Sequence, residues 1–128
     1  MNKIPKTMKA IILKANGDYE QLQYVQNYKV PTPKKNEVLI QIKAAGINNT
    51  DINTRIGWYS KNDNNADDAS WTGESLTFPK IQGADDCGYI VDVGKNIDSL
   101  RIGERVLIEP SLQKNQWKTI RKSLVFWK

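Results

Sequence analysis

Apolar residues along this chain fall in short runs bounded by glycine, proline and polar turns, the spacing of strands rather than of long helices. The run at residues 8–14, MKAIILK, predicts a first strand. Asn16, Gly17 and Asp18 carry turn chemistry. Residues 22–30 follow, with Leu22, Tyr24 and Tyr28 on alternating positions, a pattern that fits either a strand or extended coil. Pro31 and Pro33 forbid regular ladder pairing. The clearest strand is residues 37–45, EVLIQIKAA: Val38, Ile40, Ile42 and Ala44 face one way, Leu39, Gln41 and Lys43 the other. That alternation predicts one face turned to a core. Gly46 ends it, and the side-chain oxygens of Asn48, Asn49, Thr50 and Asp51 suit the cap of a short helix through residues 51–55.

In the second half, Tyr89, Ile90, Val91 and Val93 stand between Gly88 and Gly94 and predict a strand; another is predicted at residues 105–108, after Gly103. The link at 95–102 is polar except for Ile97, Leu100 and Ile102, which are expected to pin the loop against a core. On spacing alone this is either a barrel corner or any pair of β-strands. Between the halves, residues 57–78 form a long polar loop whose stretch KNDNNADDAS has no apolar residue larger than alanine. Trp58, Tyr59, Trp71 and Phe78 flank it. It reads as a surface insertion anchored by its aromatics, or as an aromatic-edged lid over a small-molecule cleft.

A length of 128 residues suits one domain with a modest core, and 39% apolar with 26% charged residues is ordinary for a globular chain. No apolar run is long enough to span a bilayer, and MNKIPKTMK lacks a secretory core, so a cytoplasmic location with no membrane partner is expected. The single cysteine, Cys87, excludes an internal disulfide; it is expected to be a small buried residue at the strand entry. Without histidine there is no imidazole for metal binding or for acid–base work near neutral pH. The net charge of +5 lies wholly in residues 113–128, because residues 1–112 carry 14 Lys/Arg against 14 Asp/Glu. The body is balanced in charge, and no nucleic-acid partner is expected.

The run EVLIQIKAAGINNTDINTRIG, then FPKIQGADDCGYIVDVGKNID and IGERVLIEP, resembles the N-terminal, GroES-like half of the medium-chain dehydrogenase/reductase superfamily, which includes zinc alcohol dehydrogenases and quinone oxidoreductases. The resemblance covers residues 8–110. It implies a mainly β fold, a distorted β-barrel with one or two short helices, forming the substrate side of a cleft while a separate Rossmann domain binds NAD(P)H. Zinc-dependent members have a cysteine where this chain has Asn48 and a histidine where it has Ala84, so the resemblance implies a lost zinc site and no metal. What remains is similar to the zinc-independent, quinone-oxidoreductase-like branch. In that branch an asparagine at the Asn48 position arranges polar contacts near the nicotinamide, and Asp51 and Arg55 match the motif. Asn53 replaces the tyrosine that often accompanies them, and Tyr59 is a substitute candidate on the lid edge. Asp85 holds the position of the acidic residue beside the lost histidine. Asn48, Asp51, Arg55, Tyr59 and Asp85 are thus the candidate substrate-cleft residues. Each also has a plainer role available: Asp51 as a helix cap, Arg55 as partner of an acid, Asn48 as a turn closer.

None of the eight glycines makes a G-x-G-x-x-G turn, so no cofactor site is expected within the chain, and NAD(P)H is implied only for a longer relative. The chain divides into an extension at 1–7, the GroES-like domain at 8–112 and a tail at 113–128 unlike the family. The preferred expectation is a truncated or frame-shifted product, inactive alone. In the tail, Trp117, Ile120, Leu124 and Trp127 stand near helical spacing among lysines and arginines. A basic amphipathic helix, a single-strand binder, or a cover for exposed barrel surface are the readings this leaves. Two functional classes remain open: the substrate-side domain of an NAD(P)H-dependent, zinc-independent oxidoreductase of quinones or alkenals, or a stand-alone binding or self-assembly module. Either exposes strand edges, and a homo-oligomer is expected.

Overall fold

A computed structural model of the chain describes residues 3–59, 76–83, 85–108 and 123–126. The architecture is mainly β: six strands in two sheets, with one short α-helix and two 3-10 turns among the described residues.

The first sheet is an antiparallel ribbon of β1 (Thr7–Leu13) and β2 (Leu22–Lys29). Period-two alternation sends Met8, Ala10 and Ile12 inward and leaves Thr7, Lys9 and Ile11 outside. Between the strands, Asp18 accepts a 2.8 Å hydrogen bond from the Tyr19 amide and caps the 3-10 turn Tyr19–Gln21. β2 buries little of its own surface, and its strand form comes from the ladder to β1, where Ile11 opposes Tyr24 and Met8 opposes Tyr28. The pairing thus decides between strand and coil where the local pattern did not.

The second sheet has the order β5-β4-β3-β6, with β3 (Val38–Ala45) paired antiparallel to β4 (Asp86–Val93), β4 antiparallel to β5 (Arg105–Leu107), and β6 (Ser123–Phe126) on the other side of β3. The expectation of a single core face on β3 is corrected here. Val38, Ile40 and Ile42 pack with Ile90 in one cluster, while Leu39, 1% exposed, packs with Met8, Ala10, Ile12 and Val30 in another. The front half of β3 is therefore sandwiched between two cores, and its back half, Lys43 to Ala45, runs out to the surface. Gly88 permits the closeness of β3 and β4, because a β-carbon there would fall on the Gln41 carbonyl. Gly94 sits equally close to the Lys34 carbonyl.

One further expectation changes, and one open reading is decided. Ile97 and Ile102 pack against the second core, but Leu100 is 85% exposed: it lies in the 3-10 turn Ser99–Arg101, whose tight three-residue repeat directs it to solvent. In the tail, Ser123–Phe126 forms β6 rather than part of a helix and pairs in parallel with β3, Val38 opposite Ser123 and Gln41 opposite Phe126. An extended segment supplies backbone donors and acceptors to the otherwise bare edge of β3, which a helix cannot do. Trp117, Ile120 and Trp127 lie outside the described residues, as does most of the long loop, including Trp71.

Candidate functional site

β3 and β4 end side by side, Ala45 opposite Asp86, and the chain turns from this rim into helix α1 (Asn49–Arg55). The turn is tied to the β4 entry by the Gly46 amide, which donates to the Asp85 carbonyl at 2.6 Å. Asn48 is the N-cap. Its Oδ1 accepts from the Thr50 amide at 3.2 Å, its own amide donates to Asp51 Oδ2 at 3.0 Å, and the two residues close a reciprocal capping box. Its Nδ2 donates to Asp85 Oδ2 at 2.9 Å. Gln82 Nε2 reaches the Asp51 carbonyl at 3.0 Å. Asn48, Asp51 and Asp85 are thus gathered in one polar corner by contacts more than thirty residues apart in sequence.

Asp86 joins them. Burial, and then the negative charges of Asp51 and Asp85, push its carboxyl above the usual carboxylate range. Sequence reasoning passed over this residue, although the Asp-Asp doublet after Gly83 was a visible signal of two acids at one strand entry. Gln82 and Thr50 were also passed over; Gln82 Oε1 and Thr50 Oγ1 are buried without a hydrogen-bond partner among the described residues.

Tyr59 and Arg55 lie elsewhere on the helix surroundings. The Tyr59 hydroxyl accepts a long, 3.5 Å contact from Asn53 Nδ2, and its ring meets Trp58 edge-on with centroids 5.5 Å apart. Arg55 has a side chain only 8% exposed, and its Nη1 donates to the Gly17 carbonyl and to Asp18 Oδ1, both at 3.0 Å. Its guanidinium lies 4.4 Å from the centre of the Tyr19 ring. Its contacts are to the turn after β1, not to the Asn48 corner. Cys87 is partly buried on β4, opposite Ala44 and Leu107.

Zinc does not fit this corner. The donors at hand are an amide and carboxylates, with neither thiolate nor imidazole. Among the described residues no group of three or more His, Cys, Asp or Glu side chains could hold a metal ion. Nor does the chain contain the glycine-rich turn a dinucleotide requires.

A β-rich domain whose central strand runs out into a capped polar turn and short helix, facing the entry of its antiparallel neighbour, has the architecture of a GroES-like domain. The sequence profile of the alcohol dehydrogenase GroES-like domain matches residues 34–123, and the chain belongs to this family. It is similar to L-galactonate-5-dehydrogenase of Escherichia coli (strain K12), with 34% identity over 84 residues, 64% of this chain and 20% of that protein. It is similar also to the chloroplastic NADPH-dependent alkenal/one oxidoreductase of Arabidopsis thaliana, 31% identical over 103 residues, 80% of this chain and 24% of that protein. Among solved structures, one from Sinorhizobium meliloti 1021 classed with the alcohol dehydrogenases superposes with a TM-score of 0.72 at 44% identity, covering 84% of this chain and 30% of that one. The chain thus spans 20 to 24% of the length of these curated relatives. Among the described residues no helix is long and apolar enough to cross a membrane.

Proposed function

We propose that this chain forms the substrate-side wall of a zinc-independent oxidoreductase of the alcohol dehydrogenase and quinone oxidoreductase type, with the hydride donor held outside this domain. The observation that carries this reading is the Asn48–Asp85 hydrogen bond at 2.9 Å, which joins the helix cap to the β4 entry where zinc-type members would place metal ligands. Asp85 holds one amide hydrogen of Asn48, leaving the second to donate to a substrate carbonyl oxygen. The chain's share of the work is to bind and orient, with Asp51 keeping the cap rigid. An NAD(P)H-dependent partner domain is part of the proposal, as is a small carbonyl, quinone or alkenal substrate. We place the protein in the cytoplasm, as a homo-oligomer.

Titration of the isotopically labelled chain with an alkenal, a quinone and an aliphatic aldehyde tests the reading. The amide signals of Gly46, Asn48, Thr50 and Asp85 are expected to move together with at least one of the three, while NADPH leaves tryptophan fluorescence without a saturable change. Saturable NADPH binding, or ligand-induced shifts confined to other parts of the fold, overturns it. A second reading, a self-assembly module, draws on the exposed Ile11, Tyr24 and Tyr28 on the β1–β2 ribbon.

A further inference from the structure

Helix α1 has seven residues, too few to hold its shape or direction without tertiary ties. Its N-terminal ties form the polar corner described above. Its C-terminal end is tied to the turn after β1. The Gly17 amide donates to the Arg55 carbonyl at 2.9 Å, and Asn16 Nδ2 donates to the Thr54 carbonyl at 2.7 Å and to that of Arg55 at 3.3 Å. The Arg55 side chain returns across the same junction to Gly17 and Asp18 and stacks under Tyr19. The Thr54 and Arg55 carbonyls and the buried guanidinium thereby all meet the same turn.

Two clamps on so short a rod define its axis and its roll. The Asn48 amide stays on Asp85 only while that roll is held, since the cap lies within two turns of the clamp. We propose that Arg55 is a positioning residue: by fixing the far end of α1 against the Gly17–Asp18 turn, it sets the direction in which the Asn48 amide points. The inference rests on Asn48 being the orienting group of the proposed site, but it concerns the chain without ligand. It assigns Arg55 a role that does not require touching substrate.

The test reads the Asn48 side-chain amide directly. Arg55→Met keeps the apolar stem but removes the donors. Its Asn48 Nδ2 cross-peaks are expected to shift and to exchange with solvent several-fold faster, while the methyl signals of Leu39, Ile40 and Ile90 stay in place. Arg55→Lys, retaining charge and donors, should recover part of the exchange protection. Asp18→Asn, which leaves the bond to the Gly17 carbonyl, serves if Arg55→Met does not fold, and is expected to move the same cross-peaks by less in the same direction. Asn48 signals unchanged in a folded Arg55→Met chain, or Asp18→Asn signals that move at Gly17 and Tyr19 but not at Asn48, overturn the proposal. Because no ligand is present, failure of substrate binding leaves this outcome untouched.

Discussion

Asp86 illustrates how one side chain takes its properties from its burial and from charges both adjacent to it and distant in sequence. Its carboxyl is raised by partial burial and by Asp51 and Asp85, so the folded chain holds this proton to higher pH than the unfolded chain does. In the window between the ordinary carboxylate value and the raised one, the native state binds more protons, and stability contributed by this group falls as pH rises. Asp86→Asn removes the slope. Melting temperatures of the two chains should converge at the acid end and separate above the ordinary carboxylate value, with the variant the more stable. A wild-type chain that gains on the variant as pH rises through that window contradicts the assignment. At the same scale, the plainer roles foreseen for the candidates describe what their observed contacts do: Asp51 completes a capping box and Arg55 pairs with Asp18. The Asn48 amide and the Arg55 guanidinium were each placed against a partner, Asp85 and Asp18, that adjacency in sequence did not suggest.

Strand β3 is the element on which the rest depends, and its alternation was legible, but only in part. Period two separates Leu39 from Val38 and Ile40; it does not say whether the second face meets water or another layer. The ribbon of β1 and β2 supplies that layer, which turns Leu39 into a core residue. Leu39→Ala is therefore expected to cost about 2–5 kcal/mol in urea-unfolding measurements. The same truncation at Leu100, equally apolar in sequence, is expected to stay within about 0.5 kcal/mol. Equal losses at the two positions would mean that the link at 95–102 is packed as first expected. Helix α1 was legible from its capping residues alone, because a cap is a local matter of one side chain and amides two or three residues away.

For the whole molecule, exposed apolar side chains and open strand edges combine. Ile11 and Tyr24 share the outer face of the ribbon, and β5 ends the larger sheet with a three-residue edge strand. Burying such a face would yield roughly 25 cal/mol per Å² of apolar area removed from water. Light scattering at tens of micromolar is expected to find a dimer or larger species, and an Ile11→Lys, Tyr24→Lys double variant should shift it toward monomer. A clean monomer for the unaltered chain removes self-association from the picture. The tail shows the opposite limit of sequence reasoning. Helical spacing of large apolar residues was real, yet Ser123–Phe126 is a strand, because the open edge of β3 offers backbone partners that outweigh the preference of a short segment.

Local chemistry alone settled the strands β1, β3, β4 and β5 and the helix cap, since each depends on residue type over a few positions. Tertiary structure decided which faces became core, that Asp86 joins Asn48 and Asp85, and that Arg55 clamps the far end of the helix. Those outcomes depend on which segments meet, and contacts across thirty or more residues leave no periodic trace in the chain that makes them.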